Sequence, residues 1–207
     1  LIQPPQWYPV SPYLAVPLLA GQLKKAGFDT KAYDLNAEFF NYLLTKDMAA
    51  DCDIRARQTL EKLSCEYENA DIIEIEKTGS YDEKTRCLKY LTIKKFYDEH
   101  GEEIPFIIEN IEKAVSVTRD KEEFFVPEKL TEAKHIIRLA LRLVSMPYAP
   151  NEIDFDNYFA NPLLNLDWSN IKIQAHDRNV NMFYDYFDKY TDKVKSEGYS
   201  IVTIAMT

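Results

Sequence analysis

LIQPPQWYPVSPYLAVPLLAGQLKKAGFDTKAYDLN, residues 1–36, reads as strand, helix, strand. Leu1 and Ile2 look like the end of a buried strand. Pro4 and Pro5 take the chain out of it, because proline has no N–H to give to a ladder. Ser11 suits an N-cap and Pro12 a first helical residue. Leu14, Leu18, Leu19 and Leu23 then recur at helical spacing. Lys24 and Lys25 complement the negative end of that helix, and Gly27 fits the left-handed position that closes it. A short strand through Tyr33 ends on Asp34. Two parallel strands joined by one helix imply a right-handed crossover.

Beyond residue 36 the alternation of strand and helix stops. AEFFNYLL (37–44) has helical spacing, and the following segments are rich in helix formers. Pro105 and Pro127 mark two helix starts. Leu130, Ala133, Ile137, Leu141 and Val144 form one apolar stripe. Residues 37–150 therefore read as a helical insertion, too long for an ordinary connection and expected to form a small bundle or cap of its own.

Residues 151–207 read as loop, helix and strand. IDFDNYFA (153–160) reads as a short helix within the loop. NVNMFYDYFDKYTDKVKSEG (179–198) reads as a helix closed by Gly198. YSIVTIAMT (199–207) is apolar and β-branched, the pattern of a central parallel strand. The expected fold class is α/β: a partial Rossmann or flavodoxin-like parallel sheet of order 2-1-3, with the helical block inserted between strands 2 and 3. The last strand would then be an exposed apolar edge, suited to homodimer pairing.

The chain has 207 residues and a net charge of −9. Residues 1–45 are balanced, while 46–150 and 151–207 carry −5 and −4. This acidity disfavours nucleic acid as a partner. No apolar run is long enough to span a bilayer, and no signal peptide is visible, so no membrane partner is expected. Cys52, Cys65 and Cys87 show no metal-ligand spacing and read as free thiols of a cytoplasmic protein. DEHGEE (98–103) reads as a solvated turn, with His100 as a helix C-terminal cation. NEIDFDN (151–157) lacks the glycine and final glutamate of a calcium loop.

IQPPQWYPVSPY, LLAGQLKKAGF and AYDLN, together with the closing IVTIAMT, give the chain a family likeness. It resembles the N-terminal cobalamin-binding-type domain of radical S-adenosylmethionine proteins, over about the first 36 and last 30 residues. That resemblance implies a non-catalytic domain that holds or covers a cofactor, cobalamin, beside a radical S-adenosylmethionine barrel in the same chain. The [4Fe–4S] cluster, S-adenosylmethionine and the Cys-x(3)-Cys-x(2)-Cys motif would then lie beyond Thr207. The Asp-x-His-x-x-Gly cobalamin loop is absent, AHDRNV (175–180) being the nearest text.

Under this reading Pro4, Pro5, Trp7, Tyr8, Pro9, Asp34 and Thr207 bind the cofactor at the carboxyl ends of the strands. The plainer alternatives are that Trp7 and Tyr8 pack under the insertion, that Asp34 caps the next helix, and that Thr207 only ends a strand. Two other functions compete. One is a protein-interaction module whose working surface is the helical insertion. The other is the N-terminal half of a nucleotide-sugar glycosyltransferase, disfavoured because the first loop has no glycine.

Overall fold

The computed structural model describes residues 1–3, 14–165 and 167–202. The chain is mostly helical, and most of its core lies where helices meet helices. The α/β expectation is corrected here: among the described residues there is no three-stranded parallel sheet. Two minimal ladders replace it. Strand β1 (Ile2–Gln3) pairs in parallel with β2 (Tyr33–Asp34), with Ile2 opposite Tyr33. Strand β3 (Glu152–Ile153) pairs antiparallel with β4 (Tyr158–Phe159), with Ile153 opposite Tyr158.

The expected third strand fails on burial. Residues 199–202 have no strand, Ile201 is 83% exposed and Val202 50%. A central parallel strand is covered on both faces, so its pattern is meaningful only where helices sandwich a sheet. Here the helices are engaged with one another. The dimerisation edge proposed for 199–207 loses its strand over 199–202, and 203–207 lie outside the described residues. The short helix expected within 153–160 is likewise replaced by the β3–β4 hairpin.

Helix α1 (Ala15–Lys25) links β1 to β2 and ends at Gly27, whose φ of +88° is the left-handed backbone foreseen there. It buries only Val16 and Ala20, while its Leu18 and Leu19, with Leu14 just before it, are exposed. Helix α2 (Leu35–Leu43) starts on Asp34, whose Oδ1 accepts the Ala37 N–H at 3.0 Å. Helix α3 (Lys46–Tyr67) starts on Thr45, α4 (Ile72–Thr78) on Asp71 and α5 (Tyr81–His100) on Ser80, each through the same side-chain bond from the N–H three residues on. Prolines lie in the first turn of α6 (Ile104–Val117) and α7 (Pro127–Ser145), where a missing N–H costs nothing.

Helix α3 is the hub. Ala49, Cys52 and Ala56 are small and fully buried, spaced so that one face admits α6 and α7 closely. Its far end, Leu63 and Tyr67, packs on Cys87 and Tyr90 of α5. Helix α7 buries Ala133, Ile136 and Ile137 along one face and is then covered almost all round from Leu139 on, where Leu139, Ala140, Leu141, Leu143 and Val144 are buried. The apolar stripe was legible, but the burial is wider than a stripe.

Helix α8 (Trp168–His176), not foreseen in the sequence, starts on Asp167. Helix α9 (Tyr184–Ser196) docks on α2 through aromatic rings. Phe39 lies 4.7 Å from Phe183 and 5.2 Å from Tyr186, and the Tyr186 hydroxyl donates to Leu35 O at 3.2 Å. Buried amides fix the segment between α7 and α8. Asn151 Oδ1 accepts the Asn161 N–H at 2.7 Å, and its Nδ2 donates to Val180 O at 2.9 Å. The side-chain oxygen and nitrogen of Asn151 thereby both find partners.

Candidate functional site

A groove of about 670 Å³ lies among the described residues, within the size range of ligand sites. Asp34 sets its first wall by capping α2. This aims Ala37, Phe40, Asn41 and Leu44 along one face, at helical spacing. The end of α6 adds Val115, Thr118 and Arg119. Phe124, in a 3-10 turn at Glu123–Phe125, forms a lip. Leu130, Lys134, Ile137 and Arg138 of α7 form the opposite wall, and Phe155 and Asp156 close it just after β3.

The floor is apolar: Phe40, Leu44 and Ile137 are buried. The rim is cationic. Arg119, Lys134 and Arg138 outnumber the one lining carboxylate, Asp156, in a chain whose net charge is −9. Arg119 Nη2 donates to the neutral Asn41 amide, so its charge is not cancelled there. Arg138 faces Asp154 at 3.7 Å and Asp156 at 3.9 Å. Lys134 has no ion-pair partner among the described residues. Thr118, the only hydroxyl in the lining, donates to Val115 O at 2.7 Å. No cysteine or histidine lines the groove. The donor set suits holding an anion on an apolar surface rather than attacking a bond.

Burial pushes the Cys52 thiol up to about 12 and raises Cys87 as well, so neither is a ready thiolate. Lys89 is the one lysine pulled well down, to about 8, mainly by burial. Its Nζ donates to Pro147 O at 2.7 Å. Among the described residues no three or more His, Cys, Asp or Glu side chains are arranged to hold a metal.

Of the cofactor residues expected from the sequence, Asp34 is described and serves as the α2 cap. Pro4, Pro5, Trp7, Tyr8, Pro9 and Thr207 lie outside the described residues. DEHGEE ends α5 in a turn with its carboxylates exposed, and Glu103 there takes hydrogen bonds from both His100 and His135. The groove cations were missed because they are scattered through a block of net negative charge. The signal in the sequence was Lys134 and Arg138, four apart on α7 beside the apolar stripe.

Comparison with protein-family models, curated proteins and solved structures returned no match to this chain. No helix among the described residues is long and apolar enough to cross a membrane.

Proposed function

We propose that this chain is a non-catalytic protein-interaction module. Its working surface is the groove between α2, α6 and α7, and its partner is an amphipathic protein segment that brings carboxylates and apolar side chains together. The observation that carries this is the reversal of charge: Arg119, Lys134 and Arg138 gather around an apolar floor on an otherwise acidic molecule. Exposed aromatics beside the groove support a macromolecular partner. Phe125 is 79% exposed next to the lining Phe124, and large apolar groups ringed by charge favour protein contacts. An apolar face seated in a groove with charges at its rim is a recurrent mode of helix recognition.

The cobalamin reading depended on a crevice at the ends of three parallel strands, and that fold premise is the one corrected above. The interaction reading needs no such crevice. Three unpaired thiols, two of them buried, support a reducing, cytoplasmic setting.

The test is fluorescence anisotropy of labelled amphipathic peptides with Glu on one face and Leu and Phe on the other. Saturable binding by the Glu peptide, lost in a Lys-for-Glu peptide and in Lys134→Glu, supports the proposal. Equal binding of both peptides, or of neither, refutes it.

A further inference from the structure

Arg142 of α7 joins three elements. Its Nη1 lies 3.1 Å from His100 Nε2 at the end of α5, and its Nε donates to Glu152 Oε1 of β3 at 3.1 Å. Its guanidinium lies over the Phe96 ring, 5.2 Å from the centroid. A guanidinium has donors only. His100 Nε2 must therefore be the acceptor, which requires a neutral imidazole carrying its proton on Nδ1. That N–H donates to Glu103 Oε1 at 3.1 Å. The other Glu103 oxygen, Oε2, accepts from His135 Nε2 at 3.2 Å.

Protonation of His100 places an N–H on Nε2, facing a donor that has no lone pair to offer. Cation then opposes cation as well. The facing carboxylates offset the charge but not the donor clash. Glu103, at the start of α6, is already bound on Nδ1, and Glu99 of α5 stands 3.8 Å from Nε2. His135, on α7, sits beyond Glu103. Arg142 has a better alternative in Glu152, so it parts from His100. Glu152 leads directly into Asp154 and Asp156, which Arg138 holds one turn earlier on α7, and into Phe155 and Asp156 of the groove wall.

We infer that the His100–Arg142 hydrogen bond is a pH-sensitive latch: protonation of His100 frees Arg142, and Glu152 with it, from α5 and weakens ligand holding in the groove. The second half of this inference rests on the groove being the binding site.

Long-range nitrogen–proton NMR of the histidine rings, on the ligand-free full chain, tests the first half alone. At neutral pH His100 should show the Nδ1–H tautomer. On acidification the amide signals of Glu152, Ile153 and Phe155 should shift with the same midpoint as the His100 ring. The shifts should disappear in His100→Gln and in Arg142→Gln, and persist in His135→Gln. An Nε2–H tautomer, amides that ignore the His100 midpoint, or amides that follow His135 would overturn the latch. Anisotropy of the Glu peptide above and below that midpoint tests the second half. A peptide that binds equally at both pH values contradicts the coupling, whereas a peptide that binds at neither contradicts the groove reading and leaves the ring and amide results to decide the latch.

Discussion

The buried hydroxyl of Ser145 ties β3 to α7: its Oγ donates to Leu141 O at 2.8 Å and accepts the Ile153 N–H at 3.0 Å. Ser145 has no exposed surface, so no water replaces either bond. Through Ile153 this one side chain sets the start of the segment that ends in Phe155 and Asp156 at the groove.

Ser145→Ala leaves the Ile153 N–H buried and unpaired. The expected cost is about 1–3 kcal/mol, the desolvation penalty of an orphaned donor. Urea unfolding followed by circular dichroism measures it. A change near zero would mean that β3 has another anchor.

The helical core is expected to dominate stability. Ile111 on α6 is fully buried, and Ile111→Ala should cost about 2–5 kcal/mol through lost contacts and a cavity. Leu18 on α1 is 66% exposed, and Leu18→Ala should stay within about 0.5 kcal/mol. Denaturant titrations of both variants compare them directly. The opposite order would put the weight of the fold on the β1–α1–β2 unit.

Lys89 gives a pH dependence of definite sign. Its folded value of about 8 lies below the ordinary 10.5, because burial penalises the charged amine. The folded state thus binds the proton less tightly than the unfolded state. Below about 8 the penalty is fully present; as pH rises from about 8 to 10.5 it is relieved and stability increases. Lys89→Met is expected to be stabilising at pH 7, by of order 1–2 kcal/mol after allowing for the lost bond to Pro147 O. The gain should vanish towards pH 10.5. Melting temperatures across that range test the trend, and a gain that grows with pH would contradict it.

Charge at the groove rim should make binding of the Glu peptide sensitive to salt. Lys134→Glu and Arg119→Glu are each expected to weaken the Glu peptide about tenfold or more, equivalent to about 1.4 kcal/mol. Raising ionic strength should narrow the gap between wild type and variants, because the Debye length shrinks. Anisotropy titrations at low and high salt measure both effects. A salt-independent loss would point to disturbed packing instead.

Much of the helical architecture was legible. Pro105 and Pro127 marked real helix starts, Lys24, Lys25 and Gly27 a real helix end, and the α7 stripe a real core face. The parallel run of the opening strand and the strand ending on Asp34 was legible as well, though not its register. The sheet was not. The closing apolar run satisfies the local pattern of a buried strand, but a strand also needs a neighbour to pair with, and Ile201 and Val202 remain exposed. Two-residue strands such as Glu152–Ile153 carry no periodicity to read. The leucines of α1 were helical, as their spacing said, yet spacing does not reveal whether anything covers them. Arg119 comes from the turn after α6 and Lys134 and Arg138 from α7, and only folding brings them to one rim.

Backbone amide shifts mapped by two-dimensional NMR during titration with the Glu-faced peptide locate the working surface. Perturbations should concentrate at Phe40, Val115, Thr118, Lys134, Ile137 and Phe155. Perturbations confined to Ile2, Tyr33 and Asp34 would instead place binding at the strand ends and contradict the groove as the site of function.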